Sequence, residues 1–299
     1  MTDRRPALTR LLGLLLMIGL VALAPDTRAA ERFRIGSKNF TEQLILGEIY
    51  AEALEGAGIK VERKLNLGGS LVAHQALVSD EIDMYPEYTG TALINVLKAP
   101  PETDPKAVFD KVKAYYETQL GLVWLKPAPM NNTYVLVIRP DTAAQFKLKT
   151  LSDLAPVAGR LKLGAGPEFR DRADGLPGLK ARYGIQFAED RQFPLGIRYG
   201  ALINHRVDAV DGNATDGQIS ANHLVRLIDD KHLWPPYNMA PVVRKSALAA
   251  FPTAAGVLDK VSALIDDATM SGMNDKVDDG KQEPRTVARA FVRAHHLVP

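Results

Sequence analysis

The sequence predicts an α/β protein of two lobes with a ligand cleft between them. Short apolar strands alternate with helices, which is typical of mixed, mostly parallel sheets flanked by helices. One segment is also repeated, since residues 76–83 resemble residues 201–208, which lie 125 positions further on. Both copies have the pattern of a helix end, a tight turn and a short strand, so we expect two lobes of similar topology. The 299 residues suffice for about two domains.

The first 29 residues are predicted to be a signal peptide rather than part of the fold. Three arginines precede the apolar stretch 11–23, and Thr27 and Ala29 suit the −3 and −1 positions of a cleavage site. This stretch is too short for a helix to span a hydrocarbon core of ~30 Å, which argues against the alternative of an N-terminal anchor. We therefore expect cleavage after Ala29 and export to the periplasm.

Composition excludes several classes of function. The chain has no cysteine, so disulfides, thiolate zinc sites, thiol nucleophiles and a lipidated cysteine are absent. The predicted signal peptide carries four arginines and two aspartates, and its removal brings the formal charge from +2 to zero. A neutral chain without basic clusters lacks the charge pattern of nucleic-acid binding.

No motif of a catalytic or cofactor site is present. Gly164 and Gly166 lack the third glycine of a dinucleotide fingerprint. Adjacent carboxylates such as Asp266 and Asp267 diverge on a helix and cannot flank one bond. We expect no enzyme, no cofactor and no metal site; a secreted hydrolase is the alternative without a placed nucleophile.

The first predicted lobe begins with strands and helices in alternation. Strands are predicted at residues 33–37, 61–67 and 82–85. The first helix is expected to start at an Asn39 N-cap with Glu42 as its capping-box partner. The second helix is expected to have Ser70 as its N-cap. A third begins at Asp104-Pro105 by the preference for proline in the first turn.

The chain then enters a second predicted lobe and returns. Strands are predicted at residues 134–138, 161–164 and 207–210, and later helices at residues 254–267 and 284–295. The two crossings are expected near Asn132 and Pro236. The first lobe would comprise residues 30–133 and 236–299, and the second residues 134–235.

Side chains at the predicted cleft suit a ligand with a cation and a carboxylate. Open α/β sheets bind ligands at the carboxyl edge of their strands, and Lys38, Tyr88, Thr91 and Arg172 follow predicted strands, whereas Tyr134 and Tyr237 lie at the crossings. A quaternary ammonium has no N–H to donate, and aromatic faces attract it by ~0.5–2 kcal/mol per ring. Lys38 and Arg172 could hold a carboxylate, which completes the outline of a betaine. A single tyrosine at such a position is more often a core-packing residue than a ligand contact, and it is the set of three at predicted cleft positions that favours a binding site.

Four motifs resemble the glycine betaine/choline/carnitine-binding proteins of osmoprotectant ABC importers. They are Gly-Ser-Lys-Asn-Phe-Thr-Glu-Gln at 36–43, Tyr-Pro-Glu-Tyr-Thr-Gly-Thr at 85–91, Asn-Asn-Thr-Tyr at 131–134 and Pro-Pro-Tyr at 235–237. The likeness runs from about residue 34 to the C-terminus. It implies a type II-like periplasmic binding protein fold and a monomer that closes over its ligand and delivers it to a permease with a cytoplasmic ATPase.

The resemblance also implies roles for individual residues. In that family tyrosines cage the trimethylammonium group, and a lysine, an arginine and a threonine bind the carboxylate. Those roles are carried over to Tyr88, Tyr134 and Tyr237 for the cage, and to Lys38, Thr91 and Arg172 for the carboxylate. Arg170, two residues away, is the alternative to Arg172.

The chain departs from the family at Asn213. A cage tyrosine usually follows the corresponding strand, whereas this segment reads Asp-Gly-Asn-Ala-Thr-Asp-Gly at 211–217. An amide supplies no π face, and the loss of ~0.5–2 kcal/mol corresponds to up to roughly thirtyfold in affinity. The osmotically induced, low-affinity branch of the family also has an altered cage, and this chain is compatible with that branch. The alternative ligand is an amino acid or another polar zwitterion whose N–H groups Asn213 would bind.

Overall fold

The computed structural model describes residues 32–297, so the predicted signal peptide lies outside the described residues. The strands within this range are β1 (Phe33–Gly36), β2 (Val61–Lys64), β3 (Met84–Tyr88), β4 (Leu122–Trp124), β5 (Tyr134–Ile138), β6 (Lys162–Ala165), β7 (Glu189–Gln192), β8 (Ala209–Asn213), β9 (Val225–Leu227) and β10 (Met239–Arg244).

The helices of the same range are α1 (Thr41–Gly56), α2 (Ser70–Val78), α3 (Thr89–Thr91), α4 (Pro105–Tyr115), α5 (Pro140–Phe146), α6 (Leu151–Leu154), α7 (Pro167–Asp171), α8 (Leu176–Tyr183), α9 (Arg198–Ile203), α10 (Gly217–Ala221), α11 (Lys245–Ala250), α12 (Ala254–Ser262), α13 (Asp267–Asp278) and α14 (Pro284–Ala294). Two of them, α3 and α4, continue as π-helical turns. No helix in this part of the chain is long and apolar enough to cross a membrane.

The strands form two five-stranded sheets of the same topology. The first sheet has the order β2-β1-β3-β10-β4 and the second the order β7-β6-β8-β5-β9. In each, three parallel strands are followed by two that run in alternating directions, because β10 and β5 are antiparallel to both of their neighbours. The strands β3 and β8 start 125 residues apart, at Met84 and Ala209, so the structure confirms the internal repeat.

The chain passes between the sheets twice. The first sheet takes β1 to β4 and β10, and the second takes β5 to β9. The two connecting segments lie side by side, joined by a β-bridge between Asn131 and Asn238. The crossings predicted near Asn132 and Pro236 fall in these segments. The residue bounds of the two lobes stay a prediction.

Local sequence explains several elements. Asp104 caps α4 by accepting from the N–H of Lys106, and Pro105 occupies the first turn. The apolar run of β5 is buried along most of its length because the strand lies inside its sheet. The C-terminal helices α12, α13 and α14 pack against α1 and return the chain to the first sheet.

Three predicted features are wrong. Helix α1 begins at Thr41 with Phe40 as an N-cap that makes no side-chain bond, so Asn39 and Glu42 do not form a capping box. Ser70 is the first residue of α2 rather than its N-cap, which is Gly69. The helix predicted at 254–267 ends at Ser262, and a separate helix, α13, follows from Asp267 because Asp266 caps it by accepting from the N–H of Thr269.

Candidate ligand-binding site

A cavity of about 720 Å³ collects all the residues that the sequence predicted for the site. It lies where β1, β3, β6 and β8 end and where the antiparallel β5 begins. Its lining includes Lys38, Tyr88, Thr91, Tyr134, Arg172, Asn213 and Tyr237. Pockets of about 300–1,000 Å³ are typical of small-molecule sites. The structure therefore brings the seven residues together in a space large enough for a small solute.

Lys38 enters this cavity as half of a buried ion pair. Its Nζ atom lies 2.5 Å from Oε1 of Glu87, and both side chains are almost fully buried. The second carboxylate oxygen of Glu87 accepts from the hydroxyl of Tyr85 at 2.8 Å. Nζ also lies 4.9 Å from the centroid of the Tyr88 ring. The ammonium is thus held in one position by a carboxylate and an aromatic face.

Arg172 is the second cation of the cavity, and it too has a carboxylate partner. Its Nε and Nη2 donate to the two oxygens of Asp174 at 2.8 and 2.6 Å. Its Nη1 donates to the hydroxyl of Thr91 at 3.4 Å. The competing Arg170 instead donates to Asp190 at 2.7 Å and is not among the described residues that line the cavity.

The charge of Arg172 is strongly held in its buried position. Burial works against the charged form, but Tyr134, Asp174 and Tyr237 outweigh it, so the pKa of the guanidinium lies well above its usual value. The guanidinium carbon lies 5.3 Å from the ring centroid of Tyr134 and 6.0 Å from that of Tyr237. Arg172 therefore stays cationic beside both rings.

The aromatic residues form two groups in the cavity wall. Tyr134 packs edge-on against Tyr237, with centroids 5.7 Å apart, and against Phe169 at 5.0 Å. Tyr88 stacks with Phe40 at 6.3 Å. Aromatic faces attract a quaternary ammonium through the ring quadrupole. Phe40 and Phe169 were not predicted, although Phe40 stands inside the 36–43 motif.

Glu42 links the base of the cavity to both sheets. Its Oε1 accepts from the hydroxyl of Tyr88 at 2.7 Å and the amide of Asn132 at 2.8 Å. Its Oε2 accepts from the hydroxyl of Thr215 at 2.5 Å and the amide of Asn274 at 3.1 Å. Burial raises the pKa of Glu42, although the hydrogen bonds from Thr215, Tyr88 and Asn274 oppose the shift. This role replaces the predicted capping box.

Asn213 lies directly opposite Tyr134 in the ladder between β5 and β8. Its side-chain amide donates to the backbone oxygen of Asn132 at 3.5 Å, and its backbone N–H donates to Asp216 at 2.9 Å. The same carboxylate binds Arg198 at 2.7 Å. The wall beside Asn213 is therefore polar rather than aromatic.

The carboxylates behind the two cations were missed by sequence reasoning. Glu87 stands between two tyrosines of the 85–91 motif, and its position there was the available signal. Asp174 follows Arg172 by two residues, and this spacing by itself does not predict a buried ion pair. Both contacts depend on burial, which local sequence does not show.

Comparison with known proteins connects this cavity to solute transport. Residues 31–294 match the family described as the substrate-binding domain of the ABC-type glycine betaine transport system. A glycine-betaine-binding protein of Pseudomonas aeruginosa is 39% identical, and the match covers 90% of this chain and 89% of that protein.

Two further proteins show how widely the similarity extends. An ergothioneine transport permease/ergothioneine-binding protein of Helicobacter pylori is 34% identical, over 93% of this chain and 50% of that longer protein. A crystal structure of a glycine betaine/carnitine/choline ABC transporter protein superposes with a TM-score of 0.74 at 30% identity, covering 88% of this chain and 98% of that one. These neighbours establish the predicted two-lobed binding-protein fold.

Proposed function

Because the chain belongs to the family of substrate-binding domains of ABC-type glycine betaine transport systems, we propose that its cavity captures a quaternary-ammonium solute for uptake. The candidates are glycine betaine, carnitine and ergothioneine, which relatives of this chain are named for, and choline, which a similar solved structure is named for. The observation that supports this proposal is the shared cavity of seven residues, which combines aromatic faces with two fixed cations.

In the proposed complex the tyrosines bind the cationic end of the solute. Tyr134 and Tyr237 present adjacent rings at 72° to one another, an arrangement that offers a trimethylammonium group two non-parallel faces. Tyr88 adds a third ring from the other sheet. Each ring is expected to contribute ~0.5–2 kcal/mol when water is excluded.

The carboxylate end of a betaine would bind Lys38, Arg172 and Thr91. The hydroxyl of Thr91 already lies within hydrogen-bonding distance of Arg172, so the two can share one carboxylate. Lys38 follows β1 of the first sheet, and Arg172 follows α7, which comes after β6 of the second sheet, so one carboxylate would draw both halves together. Asn213 would contact the solute beside Tyr134 without supplying a π face.

The proposal extends to location and partners. A signal peptide of 29 residues would direct the chain to the periplasm. There the monomer would deliver its solute to a membrane permease and its ATPase. One lobe of this monomer would comprise residues 30–133 and 236–299, and the other residues 134–235. The relative from Helicobacter pylori carries binding and permease functions in its name, which supports a permease as the partner.

Calorimetry on residues 30–299 tests the proposed ligand class. Glycine betaine, proline betaine, choline, carnitine and ergothioneine should be titrated separately, with primary amino acids as the comparison set. Saturable heat with at least one quaternary-ammonium solute is expected. Heat with none of them at millimolar concentration, or with amino acids alone, would overturn the proposal.

A further inference from the structure

Each cation at the proposed carboxylate end of the cavity has a buried carboxylate behind it. Lys38 and Arg172 line the cavity, whereas Glu87 and Asp174 are not among the described residues that line it. The side chains of Glu87 and Asp174 are only 1% and 0% exposed. A ligand would therefore meet the donors of Lys38 and Arg172 while the compensating negative charges stay in the wall.

Asp174 does more than balance a charge. It binds Arg172 through two parallel N–H···O bonds, a geometry that fixes the plane of the guanidinium. The hydroxyl of Tyr237 donates to the same Oδ2 atom that accepts from Nη2 of Arg172. The backbone oxygen of Asp174 accepts from the indole of Trp234 at 2.7 Å. One buried residue thus orients a cation and an aromatic ring of the proposed site together.

The charge of Asp174 changes what the cavity can accept. A guanidinium without its carboxylate would repel a ligand that is only a cation, and would attract the carboxylate of a zwitterion more strongly. Charges a few ångströms apart in a partly buried site interact appreciably, at an effective dielectric constant of about 20. With Asp174 at 2.6 Å and the more exposed Glu168 at 3.7 Å, Arg172 offers hydrogen-bond donors but little net positive charge, and Asp174 is the nearer of the two carboxylates.

From this geometry we infer that Asp174 is a positioning and specificity-determining residue of the cavity. It holds Arg172 and Tyr237 in place, and it offsets the guanidinium charge. The cavity can therefore bind either a zwitterion or a cation that has no carboxylate. This inference rests on the proposed function.

The test compares choline, a cation, with glycine betaine, a zwitterion. Calorimetry on residues 30–299 should measure both dissociation constants for the wild type and for Asp174→Asn, which keeps the size of the side chain. The ratio of the choline constant to the glycine betaine constant should rise about tenfold in the variant, because Arg172 loses its hydrogen-bonded carboxylate and keeps only the more distant one of Glu168, 3.7 Å from Nη1. A purely structural role would weaken both ligands and leave the ratio unchanged.

A matched control is the ion pair of Asp190 with Arg170, the arginine two residues before Arg172. Oδ1 of Asp190 accepts from Nε of Arg170 at 2.7 Å, and neither residue belongs to the described lining of the cavity. Asp190→Asn should leave both dissociation constants and their ratio at wild-type values. An equal change of the ratio in Asp190→Asn and Asp174→Asn would overturn the inference.

A second pair of variants keeps the test decisive if Asp174→Asn fails to fold. Arg172→Gln leaves the Asp174 charge without a cation, and Arg172→Gln with Asp174→Asn removes both charges. Choline should bind about tenfold more weakly to the double variant than to Arg172→Gln; equal choline affinities would overturn the inference. Wild-type protein that binds neither choline nor glycine betaine would count instead against the proposed function.

Discussion

The carboxylate of Glu168 accepts hydrogen bonds from both the backbone N–H and the hydroxyl of Ser70, at 2.6 and 2.9 Å. Ser70 opens helix α2 beside the first sheet, and Glu168 lies in α7 beside the second. Burial opposes ionisation of Glu168, but Lys38 and the Ser70 donors outweigh it and lower its pKa. This contact joins the two halves of the molecule at the edge of the cavity.

Gly69→Ala should break the contact between Ser70 and Glu168. A Cβ atom at position 69 would lie 2.2 Å from Oε1 of Glu168, so the flexible carboxylate should swing away from Ser70. Hydrogen bonds to charged groups contribute about 1.5–3 kcal/mol, and we expect ligand affinity to fall roughly tenfold. Calorimetry measures the change, with Gly256→Ala, where a Cβ meets nothing within 4 Å, as the control. Equal affinities of the two variants would contradict this prediction.

The ring of Tyr134, rather than its hydroxyl, is expected to bind the solute. No hydrogen bond of this hydroxyl is found within the described part of the chain, while the ring packs between Tyr237 and Phe169. Tyr134→Phe should therefore keep glycine betaine affinity within about twofold, whereas Tyr134→Leu should lose ~0.5–2 kcal/mol of binding free energy. The glycine betaine dissociation constants of the two variants check this prediction. Similar constants for Tyr134→Phe and Tyr134→Leu would exclude a π contribution from the ring.

Asn213→Tyr should tighten the binding of trimethylammonium compounds. The new ring would stand opposite Tyr134 in the β5–β8 ladder and add a face worth ~0.5–2 kcal/mol. Asn213→Leu is the matched control, because it adds apolar bulk without a π face. If the tyrosine variant binds glycine betaine no better than the leucine variant, the interpretation of Asn213 as a missing cage wall is wrong.

Glu42 should make stability depend on pH in a defined direction. Folding raises its pKa above the ordinary value of 4.5, so the folded state binds this proton more tightly. Its contribution to stability is then present below about pH 4.5 and declines as pH rises through the folded-state pKa. The free energy of unfolding of the wild type minus that of Glu42→Gln should therefore fall as pH rises above about 4.5.

Urea unfolding at several pH values measures this difference. The exposed Glu117 provides a control, since Glu117→Gln removes a carboxylate without a buried network. At neutral pH, Glu42→Gln should also cost about 1–3 kcal/mol, because the new amide would face donors that Glu42 accepts from. A difference that stays constant or increases with pH would contradict the assigned pKa direction.

Much of the fold follows from local sequence. The strand at Tyr134–Ile138 and the helix opened by Asp104 and Pro105 were predicted closely, because apolar runs and capping residues act over a few positions. The errors at Asn39 and Ser70 have one cause. Both residues fit a local capping pattern. However, Glu42, the predicted capping partner of Asn39, accepts a hydrogen bond from Thr215, and Ser70 donates one to Glu168, and both of these partners are far away in the chain.

The sequence by itself determined the alternation of strands and helices, the internal repeat and the seven side chains that line the cavity, since these depend on spacing and on recognisable motifs. Only the tertiary structure decided that Lys38 and Arg172 arrive already paired with Glu87 and Asp174, and that Glu42 binds both halves. Those pairings arise because burial removes water from charged groups and requires each to find a partner, wherever in the chain that partner lies.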